Sequence, residues 1–116
     1  MRTWVGAKLH GVRVTDASVD YHGSVGIDAE LMATAGIEPF EQVHVVNLNT
    51  GGRWVTYALP VDQRGAFTLN GGGARLGVVG DTCVVMTYRT GDEYEPASVL
   101  FFDVANRVTG RDRYEQ

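Results

Sequence analysis

Covalent staples are nearly absent from this 116-residue chain, which has one cysteine, Cys83. A single thiol excludes an internal disulfide. Its setting, Thr82-Cys83-Val84-Val85-Met86, reads as a buried small hydrophobe and not as a reactive nucleophile. No apolar run approaches the length a spanning helix requires, and no charged-then-apolar leader is visible. A cytoplasmic protein without a membrane partner is therefore expected. Basic tracts are missing too: residues 1–58 carry four bases and six acids, residues 59–116 six and eight, for a net charge of -4. That balance argues against nucleic acid as a partner. Neither a repeat, a low-complexity block nor a domain boundary interrupts residues 1–116, which read as one domain able to build a core without a staple. No metal site is expected. Lysine is scarce as well, with Lys8 alone against nine arginines.

What is present is mostly β-type. Residues 2 to 15 alternate loosely and include Trp4, Val5, Val12, Val14 and Thr15, which predicts a first strand with Lys8 and His10 on one face. Asp16-Ala17-Ser18 reads as a turn, and Val19 to Tyr21 as a short strand. Asp28 is a good N-cap, so one helix is expected over Ala29 to Ala35, ended by Gly36 and turning Leu31, Met32 and Ala35 to the core. Gln42 to Leu48 reads as a strand carrying an exposed His44, and Asn49-Thr50-Gly51-Gly52 as a hairpin turn. Along Arg53 to Leu59, period two sets Arg53, Val55 and Tyr57 on one face and Trp54, Thr56 and Ala58 on the other. Phe67 to Leu69 runs into Asn70-Gly71-Gly72-Gly73, where backbone is expected to pass close to something and to offer free N–H groups to an anion. Thr82 to Arg89 and Ala97 to Val104 are the last strands, and the polar tail from Asn106 is expected to fray. Short strands, one small helix and glycine-marked turns predict an all-β barrel or sandwich.

Between two of these strands stands Asp20-Tyr21-His22-Gly23-Ser24-Val25. Without a Cβ, Gly23 leaves its carbonyl open to approach, and the Ser24 hydroxyl is one residue downstream. Attack on that carbonyl turns the amide into an ester. Elimination and hydrolysis then cut the chain and leave a ketone at the new N-terminus. Most Gly-Ser pairs are ordinary turns, so the neighbouring residues must decide.

Those neighbours are Lys8-Leu9-His10, Ser24-Val25-Gly26-Ile27-Asp28, Arg53-Trp54-Val55-Thr56-Tyr57, Asn70-Gly71-Gly72-Gly73-Ala74 and Gly80-Asp81. In kind, order and spacing the set resembles the aspartate 1-decarboxylases, pyruvoyl-dependent enzymes that make β-alanine, from Arg2 to about Tyr88. The resemblance implies a double-psi β-barrel with one short helix, assembled as a homotetramer with active sites between subunits. It implies autocatalytic cleavage between Gly23 and Ser24, a pyruvoyl group formed from Ser24 as cofactor, and L-aspartate, a small amino acid, as substrate. It also assigns roles: Lys8 and Arg53 near the substrate carboxylates, His10 and Tyr21 lining the site, and Tyr57 as proton donor to the product carbon. Thr56 and Asn70 would orient the bond for self-cleavage, and Gly71, Gly72 and Gly73 would border the substrate. Two readings stay open beside this one: the same chemistry on another amino acid, and an uncleaved barrel that binds a small acid or a protein without catalysis.

Departures from the family's pattern are local. His22 stands where Glu or Val is common, and Arg75 where many members have His. The family typically shows Asn-Gly-Ala-Ala-Ala over positions 70 to 74. Two methyl groups are thus missing at Gly72 and Gly73, from which a wider pocket is expected.

Overall fold

The computed structural model describes Met1 to Glu115; Gln116, the last residue of the tail, lies outside the described residues. Among the described residues nine strands form one mixed sheet: β1 (Arg2–Arg13), β2 (Asp16–Ser18), β3 (Ser24–Asp28), β4 (Gln42–Asn47), β5 (Arg53–Val61), β6 (Phe67–Asn70), β7 (Thr82–Gly91), β8 (Ala97–Phe102) and β9 (Val108–Tyr114). Their spatial order is β2-β6-β3-β5-β4-β7-β1-β8-β9. Three neighbouring pairs, β1/β8, β2/β6 and β3/β5, are parallel, and the others antiparallel. The sheet curls around one apolar cluster in which Leu9 and Val12 of β1 share a core with Val25, Ile27, Val43, Val45, Phe67, Leu69 and Val85. The result is the all-β, barrel-like architecture expected from the strand pattern.

The one α-helix among the described residues, α1 (Ala29–Ala35), has the expected bounds, caps and buried face. Asp28 accepts from the Glu30 N–H at 2.9 Å, Gly36 adopts φ +77, and Leu31, Met32 and Ala35 are buried. Asp28 does more than cap: its second carboxylate oxygen accepts from the Gly65 N–H at 2.8 Å, tying the helix start to the loop before β6.

Three local expectations are corrected. Asp16-Ala17-Ser18 is a strand, paired in parallel with Thr68-Leu69-Asn70, and not a turn. Val19 to Tyr21, expected as a strand, is the turn. An edge of β6 was free to accept three residues, and that tertiary pairing outweighed their turn propensity. The glycine run forms a 3₁₀ turn, Gly71–Arg75. The tail, expected to fray, is β9, paired antiparallel with β8 from Phe102/Val108 to Ala97/Tyr114. Its polar composition suits a strand at the sheet edge. Its entry is pinned by Asn106, which is 2% exposed, accepts from the Arg13 N–H and donates to the carbonyls of Arg13 and Gly65.

Candidate active site

The Gly-Ser step sits where three backbone segments converge. Ser24 opens β3 and pairs with Asn70 at the end of β6. Its side chain is almost fully covered, at 3% exposure. Asn70 Nδ2 donates to Ser24 Oγ at 3.1 Å, and Ser24 Oγ donates to the His22 carbonyl at 3.3 Å. The hydroxyl is thus fixed from two sides beside Gly23, whose missing Cβ would meet nothing within 4 Å. One face of Gly23 is open.

The 3₁₀ turn lies directly against this step. A Cβ on Gly71, whose φ is +66, would fall 2.7 Å from both N and Cα of Gly23 and 2.8 Å from the Tyr21 carbonyl oxygen. Only glycine permits that approach, and it holds that dihedral without the cost a side chain would add. The close backbone passage expected of the glycine run is therefore real, and its neighbour is the Gly-Ser step. Gly72 and Gly73 behave differently from each other. A Cβ on Gly72 would meet nothing, whereas one on Gly73 would lie 3.0 Å from Trp54 Nε1. The expectation of two missing methyl groups widening one pocket is corrected: the space at Gly73 is already filled by indole.

Behind the turn, the connection to β7 is anchored by Asn47, which is fully buried. Its Nδ2 donates to the Leu76 carbonyl at 3.0 Å and to Asp81 Oδ2 at 2.9 Å, while its Oδ1 accepts from the N–H groups of Asn49 and Thr50. The bond from Asn47, with a second from the Val78 N–H, holds the Asp81 carboxyl below its ordinary range. Cys83 is buried as expected, and desolvation, with the charge of Asp81 adding to it, pushes its thiol up to about 11. Such a thiol stays protonated and unreactive at neutral pH.

Sheet register places the remaining candidates. Val25 pairs with Ala58, so one residue back Ser24 comes level with Tyr57, and two back Gly23 comes level with Thr56. Tyr57 shares its face with Arg53, as period two requires, and its ring stacks on Phe40 at 6.4 Å. Phe40 is 74% exposed and holds φ +69, a dihedral that costs a side-chain-bearing residue about 1 kcal/mol or more. Local sequence carried no sign of this support for Tyr57.

Cross-strand pairing then runs outward from β5 in two rows, Arg53-Val46-Val84-His10 and Val55-His44-Met86-Lys8. Directly paired residues point to the same side of a sheet. Lys8, His10, Arg53 and Tyr57 therefore share one outer face. They are spread along it: β1, with Lys8 and His10, stands three strands from β5 and four from the Ser24 strand β3, about 14 and 19 Å around the sheet at ordinary spacing. Within one chain the structure gathers Tyr21, Gly23, Ser24, Asn70 and Gly71, sets Thr56 and Tyr57 alongside, and leaves Lys8 and His10 apart. A groove of about 900 Å³ bordered by Trp4, Val5, Tyr94, Pro96 and Tyr114 lies at the β1/β9 end, away from the Gly-Ser step.

Two partners of these outlying residues escaped the sequence reading. Lys8 Nζ donates to the Tyr114 hydroxyl at 3.0 Å, and Tyr114 belongs to the segment expected to fray. His10 meets the edge of Phe101 at a centroid distance of 5.6 Å. His44, expected to be exposed with nothing converging on it, is half-buried and stands edge-on to Tyr88 at 4.7 Å. Among the described residues no three His, Cys, Asp or Glu side chains are grouped to hold a metal ion, and no helix is long and apolar enough to cross a membrane.

Comparison with known proteins adds an independent line. A family model described as aspartate decarboxylase matches residues 1–109. Aspartate 1-decarboxylase 2 of Gloeobacter violaceus is 43% identical over an alignment spanning 97% of this chain and 94% of that protein. The aspartate 1-decarboxylase of Acaryochloris marina is 47% identical, with 92% of this chain and 86% of that protein covered. That of Campylobacter jejuni strain 81-176 is 39% identical over 98% and 94%.

Proposed function

The chain belongs to the aspartate decarboxylase family, and on that premise we propose that it converts L-aspartate to β-alanine and carbon dioxide after cutting its own backbone between Gly23 and Ser24. One observation carries this reading: Ser24 Oγ is held by Asn70 Nδ2 at 3.1 Å beside a Gly23 that is open on its Cβ side. In the cleavage, Ser24 Oγ bonds to the Gly23 carbonyl carbon, the amide C–N bond breaks, and the hydroxyl proton passes to nitrogen. Loss of the Ser24 α-proton then breaks the Cβ–O bond and releases residues 1–23 as a carboxylate. Water displaces the nitrogen of residue 24 as ammonia, leaving a pyruvoyl group at the head of residues 24–116.

The surroundings fit such a group. It would begin a strand, under the Gly71 turn and level with Tyr57. When formed, it supplies a carbonyl that takes up the substrate amine and the electron pair freed as carbon dioxide departs. This chain's side chains do the rest. Arg53 and Lys8 offer the cations for the two substrate carboxylates. Tyr57 offers a phenol whose O–H can deliver a proton to carbon. Because Lys8 and His10 lie far around the sheet from Ser24, the reading includes a homotetramer in which a second copy completes each site.

Intact-mass measurement tests the first half. Two fragments are expected, residues 1–23 and 24–116, the larger lighter by one ammonia than a fragment beginning with serine. A single full-length mass after prolonged warming sinks the enzyme reading and leaves the uncleaved binding barrel. Product amines from a panel of amino acids test the second half: aspartate should lead, and preference for an uncharged substrate would overturn the role of Arg53.

A further inference from the structure

Trp54 and Gly73 fit together as a large and small pair beneath the turn that carries the cleavage machinery. A Cβ on Gly73 would lie 3.0 Å from Trp54 Nε1, 3.6 Å from Cε2 and 3.8 Å from Cδ1, so the pyrrole edge of the indole takes the space a methyl group would need. Trp54 is half-buried and packs against the core, so it has a firm floor. Gly73 is the middle residue of the 3₁₀ turn, and its carbonyl accepts the Leu76 N–H at 3.0 Å. Gly71 of the same turn lies against the backbone of Gly23, and Asn70, immediately before it, holds Ser24 Oγ. An unbroken run of contacts thus leads from the indole to the bond proposed to break.

We infer that Trp54 is a positioning residue for self-cleavage: its indole sets the height of the turn, and through Gly73 it sets the placement of Asn70 and Gly71 against Ser24 and Gly23. Interiors are packed tightly enough that one added methyl is felt by its neighbours, and reacting groups tolerate little misplacement. The inference rests on the self-cleavage proposed above, whereas the fit of the pair is independent of it. It also accounts for the departure from alanine at position 73: the missing methyl group leaves no cavity, because Trp54 fills it.

The test is a four-protein cycle: the parent, Gly73→Ala, Trp54→Leu and the double variant. Leucine ends at its δ carbons, so it withdraws the atoms at the indole Nε1 and Cε2 positions and makes room for a methyl group at position 73. The rate at which full-length chain becomes two fragments is followed by mass. Gly73→Ala should slow cleavage about tenfold or more, Trp54→Leu should slow it by leaving a gap, and the double variant should cleave faster than Gly73→Ala alone. Unfolding midpoints of the same four proteins in a Ser24→Ala background read the packing separately. Single-variant effects that simply multiply in the double variant overturn the inference. So does coupling seen in the midpoints but absent from the rates, which would make Trp54 a packing residue only. Should Gly73→Ala fail to fold, an unchanged cleavage rate in Trp54→Leu overturns it equally. A parent that never cleaves removes the proposed function itself, and that result is read from the parent alone.

Discussion

The corner at Gly23-Ser24 and the outer face bearing Lys8, His10 and Arg53 are built on opposite plans. At the corner, backbone meets backbone: Gly71 approaches Gly23 so closely that a Cβ would fall at 2.7 Å, and Ser24 is 3% exposed with its hydroxyl bonded on two sides. On the face, the cations are dispersed over β1 and β5 with β4 and β7 between them, Arg53 is exposed, and Lys8 is tethered to a tyrosine of the last strand. The contrast matches the two tasks proposed for them. A reaction of the chain on itself needs its parts within one chain and already ordered. A reaction on a substrate can leave parts on a surface until another copy closes over it.

Substitutions that separate the two regions test the contrast most sharply. Ser24→Ala should abolish cleavage and leave one full-length mass, with the fold intact. Gly71→Ala should come close to it, because the added Cβ would clash with Gly23 and force φ +66 on a residue with a side chain. Slow or absent fragment formation, with a lowered unfolding midpoint, is the expected result; normal cleavage would show that the corner tolerates far more movement than its contacts imply. Arg53→Ala should do the reverse, cleaving fully while losing about 1.5–3 kcal/mol of charge-assisted binding, or roughly ten- to hundredfold in turnover of aspartate.

Mixed assemblies would break the comparison outright if it is wrong. Lys8→Ala and Ser24→Ala chains, each inactive alone, should regain part of the parental activity when co-expressed, because some sites would draw an intact Ser24 from one copy and an intact Lys8 from another. No recovery in assemblies shown by mass to contain both chains would mean that one chain supplies both groups.

The smallest effects concern the supports. Tyr114→Phe removes an exposed hydrogen bond to Lys8, so a change of only a fewfold in KM is expected, with cleavage untouched. At alkaline pH, Cys83 should register. Its thiol is pushed up to about 11 from an ordinary 9.0, so the folded state resists ionisation that the unfolded chain allows. The stability this contributes is whole below pH 9.0 and is lost as pH rises towards about 11. Urea midpoints measured across that interval should fall less steeply for Cys83→Ala than for the parent.

What the sequence alone determined was whatever short-range chemistry dictates. Asp28 and Gly36 bounded α1 because caps act within a turn of the helix. Period two set Arg53 with Tyr57, because alternation is a property of one strand. The Gly-Ser step and the glycine run were visible as composition, and with the spacing of Lys8-Leu9-His10 and Arg53 to Tyr57 they pointed to the family. Only the tertiary structure decided the rest, since it depends on which segments become neighbours. Asp16 to Ser18 became a strand because β6 had a free edge, and the polar tail became β9 because β8 had one. Phe40 reached Tyr57, and Tyr114 reached Lys8 across 106 residues of chain, by contacts that no local pattern encodes. The same holds for the glycines at 71, 72 and 73: alike in sequence, they face respectively the Gly23 backbone, open space and the indole of Trp54, because each direction is set by what the fold places beside it.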